Sequence, residues 1–288
     1  MFRTVSVAGG DLRQLTIASE LADDGYDVTI YGFKKDVIPN RVKNTADLRE
    51  ALDSDIIILP VPVSFDGITI NMPFSDNTIS VNELTGNINP LSVVFGGRIT
   101  DDLTKKLTAK GIKYFDYMKR DELAIRNAVP TAEGAIELAI SETPITIRNS
   151  KCLVLGYGKV GKVLAHSLQA LGAKTYVAAR KYADLAFIES HGCHPLTMRE
   201  ITSRLGEFDI IFNTVPALIL DADELRKISG TTLIIDLASK PGGVDFEIAK
   251  ELGLRVIWAL SLPGRIAPVT AGIIIKDTII NILKEMEV

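Results

Sequence analysis

The chain has 288 residues, of which 47% are hydrophobic and 24% charged, with 22 glycines, 12 prolines and a formal net charge of −4. This composition predicts a folded protein of about two domains and excludes a disordered, collagen-like or disulfide-stapled chain. The acidic balance provides no broad basic field for nucleic acid or an acidic membrane. Two cysteines, no secretory leader and no apolar run of bilayer-spanning length predict a cytoplasmic location.

Short β-rich segments alternate with helical patterns along the first half. Strands are predicted over residues 4–8, 28–31, 56–59, 93–95 and 112–115, and helices over 12–24, 46–52 and 102–110. Strands separated by helices are typical of βαβ units in a parallel sheet. The stretch from Pro60 to Pro90 shows little helical periodicity, which predicts a long functional loop or lid.

The alternation restarts after a helix predicted over residues 131–141, in which Thr131 is the N-cap and Pro130 ends any earlier helix. Strands follow at 151–155, 175–179, 209–213, 232–236 and 255–258, with helices at 160–171 and 182–190. We therefore predict an α/β fold of two Rossmann-like doubly wound parallel-sheet domains with a cleft between them. The predicted parts are a substrate-side domain (1–129), a connecting helix and linker (130–149), a dinucleotide-binding domain (150–267) and an apolar helix (268–288) that packs back on the first domain.

The glycine pattern after the strand at 151–155 is the clearest functional motif. Gly156, Gly158 and Gly161 form GxGxxG, and Lys159 and Val160 open the following helix. In this context the first glycine permits a tight turn, the second admits a pyrophosphate and the third lets the helix pack against the strand. The alternative is a plain strand–turn–helix that needs glycines only for its geometry.

The end of the next strand favours NADP over NAD. A carboxylate that would bond the ribose 2′-hydroxyl of NAD is missing, and Arg180 and Lys181 stand there instead. A guanidinium binds a 2′-phosphate well, so the predicted cofactor is NADP(H). The alternative is a solvated turn.

Two later strand ends also supply polar residues, since ligands collect at the carboxyl edge of such sheets. Asn213, Thr214, Val215 and Pro216 follow one strand, and for Asn213 and Pro216 the alternative is turn chemistry alone. Ala238, Ser239 and Lys240 follow the next strand. All seven are candidate cofactor or substrate contacts.

A metal site is not predicted. His191, Cys193 and His194 are three crowded residues without the partner set that a zinc site needs, so an ordinary loop is favoured. Cys152 lies in a predicted buried strand and has no base nearby in sequence, which argues against a nucleophile.

The whole chain resembles the A subunits of dipicolinate synthase from spore-forming bacteria. The resemblance rests on the glycine loop, on Pro-Thr-Ala-Glu-Gly-Ala from Pro130, on Asn-Thr-Val-Pro from Asn213 and on Leu-Pro-Gly-Arg from Leu262. It implies an oxidoreductase that makes pyridine-2,6-dicarboxylate from the product of dihydrodipicolinate synthase. It also implies that the partner is a smaller flavoprotein-like B subunit, and that the location is the mother cell of a sporulating bacterium; a homo-oligomer is possible.

Candidate substrate and catalytic residues are then assigned by their position in the expected cleft. A substrate with two carboxylates needs cations or N–H groups at both ends. The substrate candidates are Ser64, Ser75, Gly97, Arg98, Thr131, Lys240, Pro263 and Arg265. Glu133, Asp236 and Lys240 are candidates for the acid or base. For Thr131 a purely capping role stays open, as does surface ion pairing for Arg265.

Two other functions remain open from the sequence. One is a different two-domain NADP dehydrogenase that acts on a hydroxy acid or a shikimate-like ring. The other is a regulatory subunit that binds NADP without catalysis. The candidate cations and the long Pro60–Pro90 stretch favour an enzyme.

Overall fold

The computed structural model describes residues 3–286, which form two compact units. The first unit contains the chain up to Ala124 together with the residues from Ala267 onward, and the second is Ile125–Ile266. Each unit is built on one six-stranded sheet in which every strand pairing is parallel.

The sheet of the first unit has the order β3-β2-β1-β4-β5-β6. Its strands are β1 Thr4–Ala8, β2 Asp27–Tyr31, β3 Lys43–Asn44, β4 Ile56–Ile58, β5 Val93–Gly96 and β6 Lys113–Asp116. Its helices are α1 Leu12–Asp23, α2 Leu48–Ala51, α3 Val81–Asn87, α4 Asp101–Ala109, α5 Asp121–Arg126, which ends just beyond the unit boundary, and α13 Pro268–Met286. The inner strands β1, β4 and β5 are almost wholly buried, as expected for a parallel sheet that is covered on both faces.

The C-terminal helix α13 packs against α1 and completes the core of the first unit. Ile275, Ile279 and Ile282 are buried in the same cluster as residues of β1 and β2. Gly272 permits this close approach, since a Cβ there would lie 2.7 Å from the Arg13 carbonyl oxygen. The apolar face that the sequence shows in this segment is therefore buried within its own unit.

The sheet of the second unit has the order β12-β11-β10-β7-β8-β9. Its strands are β7 Lys151–Leu155, β8 Lys174–Ala179, β9 His194–Thr197, β10 Ile210–Asn213, β11 Leu233–Asp236 and β12 Arg255–Trp258. Its helices are α6 Ala128–Glu142, α7 Lys159–Ala170, α8 Tyr182–Ser190, α9 Met198–Arg204, α10 Ala222–Leu225, α11 Phe246–Glu251 and α12 Leu262–Ile266. Both sheets thus have the doubly wound order 3-2-1-4-5-6, and the predicted fold class is confirmed.

Two local predictions of secondary structure are wrong, whereas the functional role predicted for residues 60–90 stays a prediction. The Pro60–Pro90 stretch contains α3, whose first turn is capped when Ser80 Oγ accepts from the Glu83 N–H (3.0 Å), and Ile70, Met72 and Ile79 are buried in the core. A helix of only seven residues carries too little periodicity to stand out in the sequence. Much of the stretch is therefore packed structure.

The helix predicted from residue 131 begins earlier, at Ala128. Pro130 is tolerated because the N–H groups of a helix's first turn have no intrahelical partner. Thr131 is consequently inside α6, where its N–H (3.2 Å) and Oγ1 (2.7 Å) both donate to the Asn127 carbonyl. Its predicted role as an N-cap with free N–H groups is wrong.

Candidate functional site

The glycine loop joins β7 to α7 as the sequence predicts. Gly156 has a φ of +97°, and a Cβ there would lie 2.6 Å from Thr214 Oγ1. A Cβ on Gly161 would collide with the Gly156 carbonyl oxygen. Because neither glycine has a side chain, the start of α7 can lie against the ends of β7 and β10. At this point Thr214 Oγ1 donates to the Leu155 carbonyl (2.8 Å).

Gly158 differs from both because it faces open space. A Cβ built there meets no atom within 4 Å, and its φ of −82° suits any residue. Gly158 is the N-cap of the twelve-residue α7 and offers no side chain to the first turn. The N–H groups of Lys159, Val160 and Gly161 therefore begin a helix at an open, uncapped terminus, the arrangement that binds a pyrophosphate.

A buried network fixes the neighbouring strand ends β10 and β11. Asp236 is fully buried, and its Oδ1 accepts from Asn213 Nδ2 (2.8 Å) and the Ala238 N–H (3.0 Å). Its Oδ2 accepts from the Gly243 N–H (2.8 Å). Asn213 Nδ2 also donates to the Val215 carbonyl (3.0 Å), so one carboxylate holds two loops together.

Gly243 completes this network, although no sequence motif assigns it a role. A side chain there would collide with Asn213 Nδ2. Beside it, Trp258 donates from Nε1 to the Ala238 carbonyl (3.0 Å) and stacks on Phe246 with ring centroids 4.9 Å apart. The Gly242–Gly243 pair is visible in the sequence, but its partner lies thirty residues earlier.

We expect Asp236→Asn to destabilise the protein by about 1–3 kcal/mol. The carboxylate accepts hydrogen bonds on both oxygens, whereas the asparagine amide would place an N–H group opposite the Gly243 N–H, which would then lack an acceptor. Denaturant unfolding measures the change, with exposed Glu251→Gln on α11 as the matched control. Unchanged stability together with lost activity would contradict this structural role and favour Asp236 as a proton-transferring group.

Other predicted cofactor residues lie around the same sheet edge. Arg180 and Lys181 directly follow β8 and are exposed, and within residues 3–286 neither is paired with a carboxylate. Pro216 and Ser239 are exposed, whereas Val215 is half-buried and Ala238 is buried. Lys240 is exposed in the loop that Asp236 holds.

The substrate candidates of the first unit are already engaged with their own chain. Ser64 Oγ donates to Asp66 (2.9 Å), and Ser75 Oγ accepts from the Asn77 N–H (3.1 Å). Gly97 is buried, and its N–H donates to the Pro60 carbonyl (3.0 Å). A Cβ built on Gly97 would collide with the Val61 side chain. These contacts are turn and packing interactions, and a substrate role for these residues stays a prediction.

Arg98 has an exposed side chain, while its backbone N–H donates to Asp116 Oδ1 (3.1 Å). In the second unit, Pro263 and Arg265 belong to the short helix α12, and Arg265 is exposed. Glu133 is exposed on α6, where it lines a groove against α7. Among the described residues no hydrogen bond joins Glu133, Asp236 and Lys240 into one catalytic group.

Both cysteine thiols are buried and unpaired in a disulfide. Burial raises the pKa of the Cys152 thiol to about 11, and burial also raises the pKa of Cys193. Such thiols are mostly protonated at neutral pH and are poor nucleophiles. Over residues 3–286, no three His, Cys, Asp or Glu side chains come together as metal ligands. No helix in the same range is long and apolar enough to cross a membrane.

Comparison with known proteins identifies the family. A family model for the N-terminal domain of the dipicolinate synthase A subunit matches residues 4–118. The A subunit of dipicolinate synthase from Bacillus subtilis (strain 168) is 35% identical over 286 residues, which cover 98% of this chain and 96% of that protein. The chain belongs to the family of dipicolinate synthase A subunits. The resemblance predicted from the sequence is thus confirmed.

Solved structures of dipicolinate synthase A subunits share the whole fold. The protein from Bacillus halodurans has a TM-score of 0.89 and 33% identity, and the match covers 98% of this chain and 97% of that one. The protein from Bacillus subtilis also has a TM-score of 0.89, with 34% identity and 100% and 97% coverage. A second family model, shikimate / quinate 5-dehydrogenase, matches residues 137–257, so the unit with the glycine loop is dehydrogenase-like.

Proposed function

We propose that this chain is the NADP-dependent subunit of a dipicolinate synthase and forms pyridine-2,6-dicarboxylate from the product of dihydrodipicolinate synthase. The observation that carries the proposal is the open terminus of α7 at Gly158, in a chain that belongs to the dipicolinate synthase A subunits. The name of the relative denotes one subunit of a larger enzyme, which supports a partner subunit, and we propose that this partner is a flavoprotein-like B subunit. The proposed location is the mother cell of a sporulating bacterium.

The residues of the glycine loop fit a dinucleotide. Gly158 leaves room for the pyrophosphate, and the first turn of α7 supplies N–H donors and a positive dipole end. Arg180 and Lys181 supply two exposed cations for a 2′-phosphate. When bound, the nicotinamide ring would accept a hydride at C4.

The reaction balances as an oxidation of the substrate ring. Conversion of dihydrodipicolinate to the aromatic pyridine would remove one hydride, which a bound dinucleotide would accept, and one proton, which a base would take. If the hydroxylated tetrahydro form enters, one water leaves before this oxidation. No metal ion is needed to balance either step.

We assign residues of the second unit to binding the substrate and to positioning the loop that carries Lys240. Lys240 and Arg265 are exposed cations on the segments that follow β11 and β12, where ligands of doubly wound sheets collect, and we assign them to a substrate carboxylate. Asp236 already accepts three hydrogen bonds, so we assign it to positioning the Lys240 loop. Of the acid–base candidates, Lys240 therefore lies at this sheet edge, whereas Glu133 lies in the groove between α6 and α7.

Replacing either cation tests the substrate assignment. We expect Lys240→Ala and Arg265→Ala each to lower kcat/KM at least about tenfold, which equals about 1.4 kcal/mol, while NADPH affinity stays nearly unchanged. Steady-state kinetics with saturating cofactor measures this, and Arg148→Ala, an exposed arginine before β7, is the matched control. Wild-type kcat/KM in both variants would show that neither residue holds the substrate.

One observation favours a second candidate function. Residues 137–257 match the shikimate / quinate 5-dehydrogenase model, so oxidation of a hydroxylated ring acid is the alternative. Product analysis separates the two, because dipicolinate is aromatic and chelating whereas an oxidised shikimate-type product is a ketone. Turnover of shikimate or quinate without dipicolinate formation would replace the proposal with this alternative.

A further inference from the structure

The outer faces of α6, α7 and α8 form two adjacent apolar grooves that the glycine-loop chemistry does not use. The acidic groove, about 630 Å³, lies between α6 and α7 and is lined by Glu133, Ile136, Glu137, Ile140, His166 and Leu171, among others. The basic groove, about 430 Å³, lies beside α7 and α8 and is lined by Tyr157, Lys162, Val163, His166, Phe187 and His191, among others. His166 lines both, so α7 forms the ridge between them.

Large apolar side chains are exposed on both sides of this ridge. Ile140 is 57% exposed, Phe187 59% and Leu171 47%. Scattered apolar residues are common on protein surfaces, but side chains grouped in two grooves on one helix layer are typical of a surface that another protein covers. The charges at the rims of the grooves then indicate which partner fits.

The exposed face of α6 is acidic, whereas the exposed face of α7 carries the cation Lys162. Helix α6 has three glutamates and no basic residue, and Glu133 and Glu137 are one turn apart on its exposed face. Helix α7 has no acidic residue, and Lys162 and His166 are likewise one turn apart, while α8 on the other side of this groove carries Asp184 and Glu189. Side chains four residues apart on a helix are separated by about 5–6 Å, so the two pairs have matching spacing.

We propose that this surface pairs with the same surface of a second copy of the chain. A two-fold axis near α7 places α6 of each copy on the basic groove of the other, as an isologous interface requires. Ile140 of one copy then covers apolar surface beside Phe187 of the other, and the carboxylates of α6 face Lys162 and His166. Self-complementary charge of this kind favours a second copy over an unrelated partner, which would need no such match within one chain.

Charge reversal tests the pairing. Sedimentation velocity of the full chain between about 1 and 100 µM should show a dimer whose dissociation constant rises about tenfold or more in Glu137→Lys and in Lys162→Glu. Combining both reversals in one chain should restore association, because the two-fold axis again opposes unlike charges. Ile140→Glu should dissociate the dimer through its apolar centre.

Glu251→Lys, on α11 outside both grooves, makes the same charge change as Glu137→Lys and should leave association unchanged. Circular dichroism of every variant shows that loss of association is not loss of fold. A wild-type chain that stays monomeric at about 100 µM overturns the proposal, whatever other protein it binds. It is equally overturned if the double reversal associates no better than the single ones.

Discussion

Gly158→Val is expected to abolish NADPH binding while the protein stays folded. The valine methyl groups would occupy the space in front of the first turn of α7 that we assign to the pyrophosphate. The fold should survive because a Cβ at Gly158 meets no atom within 4 Å and the backbone φ of −82° is ordinary. Calorimetric titration with NADPH and thermal unfolding measure the two effects separately.

Gly161→Ala is the contrasting variant for that experiment. A Cβ there collides with the Gly156 carbonyl oxygen, so the loop has to deform and both stability and NADPH binding should fall. If Gly158→Val binds NADPH like the wild type, the dinucleotide lies elsewhere and the proposed cofactor site is wrong.

Arg180→Asp is expected to reverse the cofactor preference. Loss of a charge-assisted bond to the 2′-phosphate should weaken NADPH binding by about 1–3 kcal/mol, which is roughly 5- to 150-fold. The new carboxylate follows β8 where NAD sites carry an acid for the ribose 2′-hydroxyl, so NADH binding should improve. Fluorescence titration with both cofactors measures the ratio of the two dissociation constants.

Arg148→Asp is the control, since it removes an exposed arginine that precedes β7 and should change neither affinity. Equal affinities of the wild type for NADH and NADPH would contradict the argument from Arg180 and Lys181. In that case Arg180 and Lys181 would belong to a solvent-exposed turn without a role in choosing the cofactor.

Local patterns in the sequence were sufficient for the fold class and for the glycine loop. The predicted strands lie within two residues of the observed ones, because buried parallel strands and their intervening helices have strong short-range patterns. The GxGxxG motif can likewise be identified from the sequence, because its strand, turn and helix are contiguous in the chain. The sequence could not show which of the three glycines faces open space, because that depends on Thr214 and Val215, more than fifty residues away.

Long-range packing explains the predictions that failed or stayed incomplete. The Asp236 network joins residues 213, 236 and 243, and no local pattern distinguishes such a buried acceptor from a catalytic acid. The sequence pattern places Thr131 at a helix start because a proline ends a helix in its interior, but a proline is accepted in a helix's first turn, where Pro130 lies. Glu133 belongs to an outward-facing groove on α6 that only the packing of α6 against α7 reveals.

We propose that this chain oxidises a dihydropyridine dicarboxylate with NADP. The most direct test supplies the purified chain with NADP and with substrate made in situ by dihydrodipicolinate synthase, with and without the B subunit. The amount of reduced nicotinamide is measured by its absorbance, and the amount of dipicolinate is measured by chromatography of the same samples. We predict one NADPH for each dipicolinate formed, and no product when Gly158→Val replaces the wild type. Dipicolinate that appears at the wild-type rate without any reduced cofactor would contradict the claim.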